Sequence, residues 1–177
     1  MAGISIIVAV AENGAIGAHN RLLCRMPDDM KRFKRLTTGH TVIMGRKTFE
    51  SLPKGALPDR TNVVISANAQ AIFEGCEKYD QLITAINQHQ QDREIFIIGG
   101  ASIYQQAIDM ADKLYITFIH HSFEYADAFF PDIKEDEWLL IECEDHPADE
   151  NHAYPSTFKH FLRKKMRHDG YNINYND

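Results

Sequence analysis

The sequence predicts a single α/β domain: a mainly parallel, twisted sheet with an antiparallel C-terminal strand, flanked by helices. Two observations favour this fold class. Through the first two thirds of the chain, short apolar runs rich in β-branched residues alternate with segments of helical periodicity. Two later runs, 137–143 and 157–162, have the pattern of a closing antiparallel pair.

The composition bounds the size and class of the protein. Of the 177 residues, 44% are hydrophobic and 25% are charged, which is ample for one core and short for two separate domains. The formal net charge of −6 argues against a general binder of nucleic acid or anionic membranes. The first long apolar run, 4–11, is too short to span a bilayer and has no signal-peptide features around it.

The three cysteines, Cys24, Cys76 and Cys143, are odd in number, far apart and without a CxxC spacing. They support neither a disulfide framework nor a zinc ribbon, and a reducing cytoplasm fits them best. We expect a cytoplasmic monomer that acts on small molecules. Its single domain is predicted to cover residues 1–165, followed by a polar, turn-rich and flexible tail over 166–177.

The first strand and the loop after it are predicted from residues 4–21. Residues 4–11 form a near-continuous apolar run, which is typical of a strand buried on both faces of a parallel sheet. Residues 12–21 contain two glycines and two asparagines with little periodicity, and they predict a long loop. Long ordered loops are commonly functional. The apolar residues Ile16, Leu22 and Leu23 indicate that this segment covers an apolar surface.

A helix is predicted to begin at Pro27, because proline suits the first helical turn, where its missing N–H costs nothing. Asp29 would then share a face with Met30 and Phe33, while basic residues, Arg32 among them, turn outward. A carboxylate among apolar groups is costly to bury unless a helix N-terminus, a hydrogen-bond partner or a cation stabilises it.

The alternative for this helix start is that Asp28 and Asp29 are both solvated residues that favour the helix dipole. We accept that interpretation for Asp28. For Asp29 the helix pattern alone leaves both interpretations open.

Two junctions of strand, glycine and helix predict anion-binding sites. The strand 41–45 ends in Gly45 and is followed by Arg46, Lys47 and Thr48, and the strand 94–98 is followed by Gly99-Gly100. A tight turn between strand and helix explains one glycine better than two, and the GxGxxG fingerprint is absent.

Single residues elsewhere lead to weaker predictions. Ser66 ends a third strand, 61–66, at the sheet edge where ligands of open α/β sheets bind. Arg60 could hold a carboxylate, although most loop arginines do nothing so specific. Asp80 is predicted to cap a helix over Leu82 and Ile86, and Arg163 to lie in a solvated strand end. The sequence has no HExxH or Cys/His metal spacing and no GxSxG motif, so we expect no metal.

Taken together, these segments resemble the dihydrofolate reductase family of the bacterial chromosomal type. The resemblance covers residues 4–165 and rests on the order and spacing of its motifs. These are 4–11, Ile16-Gly17, 27–30 with Phe33-Lys34, 42–51, Leu57-Pro58 with 60–62, 97–101, Tyr115 with Thr117, and Asp127 before Phe130-Pro131.

The resemblance implies hydride transfer from NADPH to C6 of 7,8-dihydrofolate, protonation of N5 and sensitivity to antifolates. It implies that Asp29 anchors the pterin and stabilises positive charge, and that Thr117 supports Asp29. The implied substrate-binding residues are Ile7, Val8, Ala9, Met30, Phe33, Leu52, Arg60, Ile98 and Tyr104. The implied cofactor-binding residues are Ala9, Ile16, Gly17, Gly45, Arg46, Lys47, Thr48, Ser51, Ile65, Ser66, Ile98, Gly99, Gly100, Ala101, Ser102, Ile103 and Tyr104.

The resemblance further implies a mobile lid over residues 11–23, with Asp127 in a facing loop that stabilises its closed state. The sequence departs from the family at Cys24, where a tryptophan is usual, and at Leu23, where a proline is common. Two alternatives stay open. One is a reductase of the same fold that acts on a pyrimidine intermediate of riboflavin synthesis, and the other is a non-catalytic nucleotide-binding module.

Overall fold

The computed structural model describes residues 1–165, and the predicted tail, 166–177, lies outside the described residues. The described part contains four α-helices and ten strands. The helices are α1 (Pro27–Thr37), α2 (Arg46–Ser51), α3 (Leu82–Gln88) and α4 (Ala101–Ala107). The strands are β1 (Gly3–Ala11), β2 (Ala15–Gly17), β3 (Thr41–Gly45), β4 (Thr61–Ile65), β5 (Cys76–Tyr79), β6 (Glu94–Gly99), β7 (Lys113–Ile119), β8 (Ala128–Phe129), β9 (Trp138–His146) and β10 (Ser156–Arg163).

Eight of the strands form one sheet in the order β5-β4-β3-β6-β1-β7-β10-β9. Strand β1 is central and pairs in parallel with β6 and β7, so that Ile4 lies beside Ile95 and Ile7 beside Tyr115. Strand β10 runs antiparallel to both β7 and β9. The predicted fold class, a mainly parallel sheet that closes with antiparallel pairing and carries flanking helices, is confirmed.

The apolar runs form strands because their side chains fill both faces of the sheet. Ile6, Ile43 and Ile97 are completely buried, as the near-continuous pattern of a parallel sheet predicts. Burial of such side chains stabilises the fold by roughly 1.5–3 kcal/mol each. The first segment of the chain therefore lies in the middle of the molecule. None of the helices in residues 1–165 has the length and hydrophobicity needed to cross a lipid bilayer.

Three local predictions were wrong or incomplete. Strand β5 was missed, and the predicted loop 12–21 contains the short strand β2, which pairs with β8. Asp80 does not cap α3: Gln81 is the N-cap residue, and the Asp80 carboxylate instead accepts a hydrogen bond of 3.1 Å from Lys78 Nζ.

Arg163 is not solvated as predicted. Its guanidinium donates hydrogen bonds to the carbonyls of Ala111 (2.7 Å) and Ile108 (2.6 Å). It also lies 4.2 Å from the centre of the Trp138 ring. The arginine stem packs on apolar surface while its head meets backbone acceptors, so this strand end is tied to the end of α4 and the segment that follows it.

Candidate functional site

The two predicted anion-binding junctions meet at one edge of the sheet. In the strand register, Gly45 at the end of β3 lies beside Ile65 of β4, and Met44 lies beside Gly99 of β6. Parallel strands end on the same side, so the loops after β3, β4 and β6 converge there. The structure thus brings together the segments that the sequence analysis treated separately.

Gly99 and Gly100 leave room at this edge that a side chain would fill. A Cβ atom on either glycine would lie 3.4 Å from Thr48 Oγ1, and on Gly99 also 3.4 Å from the Tyr104 ring. Gly99 has a φ of 124°, which L side chains rarely adopt. The peptide bond between the two glycines is cis. Glycine at both positions therefore keeps the space beside Thr48 Oγ1 free of side chains from this turn.

Some of the polar side chains beside this turn are already paired with other protein groups, and others are not. Arg46 Nη1 contacts both Glu50 carboxylate oxygens, at 2.7 and 2.9 Å, while Lys47 is exposed. The Ser51 hydroxyl donates to the Thr48 carbonyl (2.6 Å). Helices α2 and α4 have only six and seven residues, so their dipoles are short.

The remaining residues predicted at this edge lie close by. Ser66 is buried and its hydroxyl accepts a hydrogen bond of 3.3 Å from the Asn68 N–H. Ser102 is exposed at the start of α4, next to half-buried Ala101. Ile65 and Ile103 both belong to the main apolar core, and a Cβ on Gly45 would lie 3.3 Å from Ile103 Cγ1.

Tyr104 connects the glycine turn to the central strand. Its hydroxyl donates a hydrogen bond of 2.8 Å to the Ile7 carbonyl, and its ring packs on Phe130 with centres 5.2 Å apart. Complete burial raises the pKa of the Tyr104 hydroxyl, which therefore stays protonated at physiological pH. This hydrogen bond joins α4 to the central strand β1.

Asp29 lies on the other side of β1 from this turn. Its side chain is 25% exposed, and its Oδ1 accepts a hydrogen bond of 2.5 Å from the Thr117 hydroxyl. Burial raises the pKa of the Asp29 carboxyl, while the Thr117 hydrogen bond and the charge of Arg32 act in the opposite direction. The open question about this residue is therefore answered: Asp29 is a largely buried carboxylate rather than a solvated first-turn residue.

Arg32 lies beside Asp29, and the helix pattern did not predict this position. It was predicted to turn outward, yet its side chain is only 16% exposed. Its guanidinium lies 3.6 Å from Asp29 Oδ1 and 3.3 Å from Glu144 Oε2, and 4.0 Å from the centre of the Phe158 ring. No periodicity signal reveals it, because strands β9 and β10, which cover this helix face, come more than a hundred residues later.

Two apolar residues of α1 and one that directly follows α2 differ in their exposure. Met30 is 56% exposed, whereas Phe33 and Leu52 are half-buried. Arg60 donates to the Pro58 carbonyl (2.8 Å) and to Thr37 Oγ1 (3.1 Å), and its Cζ lies 6.0 Å from the centre of the Phe33 ring. The guanidinium is thus held by two protein acceptors near the Phe33 ring rather than free in solvent.

Successive residues of the central strand lie on opposite faces of the sheet. Half-buried Ile7 and Ala9 lie on one face of β1, while Val8 packs into the main core on the other face. Of the three predicted residues of β1, Val8 can therefore contribute only backbone groups to a ligand.

The predicted lid makes specific contacts with the facing loop. Asp127 Oδ2 accepts a hydrogen bond of 3.0 Å from the His19 N–H, and the Asp127 N–H donates to the Gly17 carbonyl (3.1 Å). Leu23 is buried as expected, but Leu22 is 72% exposed, and half-buried Ile16 packs against the main core.

Cys24, the position that departs from the family, is half-buried and packs against the small apolar cluster that contains Leu23 and Met26. Burial raises the pKa of the Cys24 thiol, and so does the charge of Asp29. The thiol is therefore neutral and close enough to Asp29 to feel its charge.

Comparison with known proteins agrees with this geometry. A family model described as dihydrofolate reductase matches residues 3–163. The dihydrofolate reductase of Bacillus subtilis strain 168 is 38% identical over 167 residues, covering 94% of this chain and 98% of that protein. Dihydrofolate reductase type 3 of Salmonella typhimurium is 39% identical over 162 residues, covering 92% and 99%.

A solved structure with the same fold is the dihydrofolate reductase from Enterococcus faecalis complexed with NADP(H) and RAB-propyl. It superposes with a TM-score of 0.85 at 30% identity, and the match covers 92% of this chain and 97% of that one. The family match spans nearly the whole described chain, and the relatives are matched over almost their entire length. The chain belongs to the dihydrofolate reductase family.

Proposed function

We propose that this protein reduces 7,8-dihydrofolate to 5,6,7,8-tetrahydrofolate with NADPH, and that the product serves one-carbon metabolism. The observation that carries the proposal is the largely buried Asp29 carboxylate, bonded to Thr117 and separated by the central strand from the glycine turn. A nucleotide-binding module has no use for such a carboxylate. A pyrimidine reductase of the same fold would share the glycine turn but has no need of Asp29 with Phe33.

Asp29 is proposed to orient the pterin and to favour its protonated form. Its carboxylate can accept hydrogen bonds from the 2-amino group and N3 of the pterin, with Thr117 holding Oδ1 in place. Protonation of N5 creates positive charge on the ring, and a partly desolvated anion nearby stabilises that charge. Asp29 therefore acts electrostatically, with water as the carrier of the proton to N5.

Arg32 is proposed as a positioning residue for Asp29. Its guanidinium lies 3.6 Å from Asp29 Oδ1, and it is held by Glu144 and the Phe158 ring. The positive charge lowers the pKa of the Asp29 carboxyl against the effect of burial. Arg32 thus favours the ionised form of Asp29 while remaining bound to other protein groups.

The dinucleotide is proposed to bind along the sheet edge. Gly99 and Gly100 fit its diphosphate, because a Cβ on either would contact Thr48 Oγ1. When bound, NADPH supplies the hydride. The other residues proposed to hold it are Ala9, Ile16, Gly17, Gly45, Arg46, Lys47, Thr48, Ser51, Ile65, Ser66, Ile98, Ala101, Ser102, Ile103 and Tyr104.

The substrate is proposed to enter between α1 and the central strand. Ile7, Ala9 and Ile98 would contact the pterin, and the backbone of Val8 would border it. Met30, Phe33 and Leu52 would cover the p-aminobenzoyl group. The Arg60 guanidinium is held beside Phe33 at the cleft mouth, where it can bind the glutamate carboxylate of the substrate. Antifolates would compete for the same cleft.

We propose that the enzyme works as a monomer in the cytoplasm. Cys24, Cys76 and Cys143 are all free thiols in the structure, in agreement with a reducing compartment. Sedimentation or light scattering of the purified protein at several concentrations tests the oligomeric state directly.

One absorbance assay tests the reaction. Addition of dihydrofolate to protein and NADPH is expected to cause a loss of the NADPH absorbance that an antifolate abolishes. A pyrimidine reductase would need its own substrate for this loss, and a nucleotide-binding module would bind NADPH with no loss at all. Folded protein that binds NADPH but leaves its absorbance unchanged in the presence of dihydrofolate would refute the proposal.

A further inference from the structure

Two histidines and one carboxylate converge where the segment between β9 and β10 meets the first turn of α1. Donor atoms of Asp28, His146 and His152 lie within 4.8 Å of one another. His146 Nε2 is 2.8 Å and His152 Nε2 is 3.9 Å from the same atom, Asp28 Oδ2. None of the three residues has a part in the proposed reduction, so the cluster needs its own explanation.

The hydrogen bonds of His152 define its proton position. Its Nε2 accepts a hydrogen bond of 3.3 Å from the Asp28 backbone N–H, and its Nδ1 lies 2.8 Å from Asp149 Oδ1. Because Nε2 is the acceptor, the ring proton is on Nδ1 and is donated to Asp149. The buried His152 ring therefore directs a lone pair toward the start of α1.

His146 is oriented in the same way by a different partner. Its Nδ1 lies 2.8 Å from the Pro147 carbonyl, which can only accept, so this nitrogen also carries a proton. The Nε2 of a neutral ring would then face Asp28 Oδ2 at 2.8 Å, lone pair against lone pair. That contact requires a positive charge, which is supplied by a second ring proton or by a metal cation.

The arrangement around the cluster is that of a metal site. Metal-bound histidines almost always donate their other ring N–H to a carboxylate or a backbone carbonyl, which fixes the ring and increases its basicity. His152 has Asp149 in this position and His146 has the Pro147 carbonyl. Two imidazole nitrogens and one carboxylate oxygen suit zinc and related transition metals, whereas magnesium prefers oxygen ligands.

We propose that Asp28, His146 and His152 bind one divalent transition-metal ion of the zinc class, with water as the fourth ligand. Zinc–ligand bonds are about 2.0–2.2 Å long, and only small shifts are needed to form them here. The 2.8 Å separation between His146 Nε2 and Asp28 Oδ2 must widen, and the 3.9 Å separation between His152 Nε2 and Asp28 Oδ2 must shorten. The Asp28 N–H would give up its weak bond to His152, and water would satisfy it at the exposed helix start. The metal would tie the β9–β10 segment to α1.

Metal titration of the untagged, metal-free protein tests this site independently of any folate chemistry. Co²⁺ is expected to bind at one equivalent with the intense visible bands of a tetrahedral ion, and one equivalent of Zn²⁺ is expected to abolish them. Zn²⁺ should also raise the Tm, because it binds the folded state alone, while Mg²⁺ should leave the Tm unchanged.

Variants locate the ion. His146→Gln should lose the stoichiometric Co²⁺ signal, and Asp149→Ala should weaken binding by about 10- to 100-fold through loss of the outer hydrogen bond. His19→Gln, which removes a histidine that is 85% exposed and does not contact the cluster, should bind like the parent protein. NADPH binding and circular dichroism verify that each variant is folded, and Asp28→Asn replaces His146→Gln if that variant does not fold.

Three results would overturn the proposal. The first is absence of saturable Co²⁺ binding to the parent protein. The second is a His146→Gln variant that binds Co²⁺ as the parent does. The third is a thiolate-to-cobalt charge-transfer band, which would assign the ion to a cysteine instead of this cluster.

Discussion

The Thr117 hydroxyl donates a hydrogen bond of 2.5 Å to Asp29 Oδ1 and so joins the first turn of α1 to the middle of the sheet. Thr117 lies in β7 between Ala9 of β1 and Phe158 of β10. Ladder hydrogen bonds on both sides fix its backbone, and the hydroxyl is therefore a rigid donor. The position and the protonation of Asp29 both depend on it.

Thr117→Val is expected to lower turnover at neutral pH by about tenfold or more, since a hydrogen bond to a charged group contributes roughly 1.5–3 kcal/mol. The Thr117 bond lowers the pKa of the Asp29 carboxyl, so its removal raises that pKa further. The acid limb of the turnover profile should move to higher pH. Thr117→Ser keeps the hydroxyl, so its turnover at neutral pH and the pH of its acid limb should both match those of the parent protein. A pH profile of turnover in Thr117→Val that matches the parent would exclude the proposed role.

Asp29→Asn is expected to reduce turnover at neutral pH by about 10²-fold or more, because an uncharged amide cannot stabilise positive charge on the pterin. Partial recovery is expected in acid, where more of the free dihydrofolate is protonated. NADPH affinity should stay unchanged. Asp109→Asn, an exposed residue after α4, is the matched control. Equal loss in both variants would indicate a general effect of charge.

Gly99→Ala is expected to weaken NADPH binding and to lower the free energy of unfolding by about 1–3 kcal/mol, because a φ of 124° is strained for alanine and its Cβ would meet Thr48 and Tyr104. Gly39→Ala is the control: its φ of 82° is also unfavourable, but its Cβ would contact nothing within 4 Å. It should lose stability and keep NADPH affinity. Fluorescence titration and denaturant unfolding measure the two effects.

Alkylation should report the electrostatic effect of Asp29 on the Cys24 thiol. At about pH 8, exposed Cys143 is expected to react first and Cys24 slowly, because burial and the charge of Asp29 raise the pKa of the Cys24 thiol. Asp29→Asn removes that charge and should speed the reaction of Cys24 without affecting Cys143. Mass spectrometry of the alkylated peptides gives both rates. An unchanged Cys24 rate would show that the two groups are not coupled.

His160 is expected to make the protein less stable in acid. Burial, with the charge of Lys113, lowers the pKa of the His160 ring, which stacks on Tyr115 with centres 4.4 Å apart. The unfolded chain then binds a proton at about pH 6.5, before the folded one does, so stability falls as the pH drops below that value and until the lower native pKa is passed.

His160→Gln should show a smaller loss of unfolding free energy between about pH 7 and pH 5 than the parent protein. His19→Gln, at a position 85% exposed, should follow the parent. Denaturant unfolding at each pH measures the difference. Parallel curves for His160→Gln and the parent would contradict the expected shift.

The strands of the sheet and the start of α1 were predictable because their patterns are local. The run 4–11 and Pro27 contain the signal within a few residues. Strand β5 was missed because Cys76–Tyr79 is short and only partly buried, so it lacks an apolar pattern. The prediction that Asp80 caps α3 was wrong because an aspartate suits a cap, but here its carboxylate bonds to Lys78 instead.

The motifs of the candidate site could be predicted from the sequence, whereas most contacts between its residues could not. The resemblance to the family identified Asp29 and the glycine turn, and the structure places them on opposite sides of β1. Arg32 and the cluster of Asp28, His146 and His152 could not be predicted, because their partners lie far away in sequence. Long-range pairing of β9 and β10 with the rest of the sheet creates those contacts, and no spacing rule describes them.

The central position of β1 has a consequence for synthesis of the protein. Strand β1 is synthesised before its two partners, β6 and β7, so Ile4 must wait for Ile95 and Ile7 for Tyr115 before the ladder can form. Such distant pairing slows folding and leaves an apolar segment exposed in the meantime. The nascent chain therefore carries β1, an almost wholly apolar strand, unpaired until β6 and β7 have been synthesised, and a chaperone that binds β1 during this interval would protect it from aggregation.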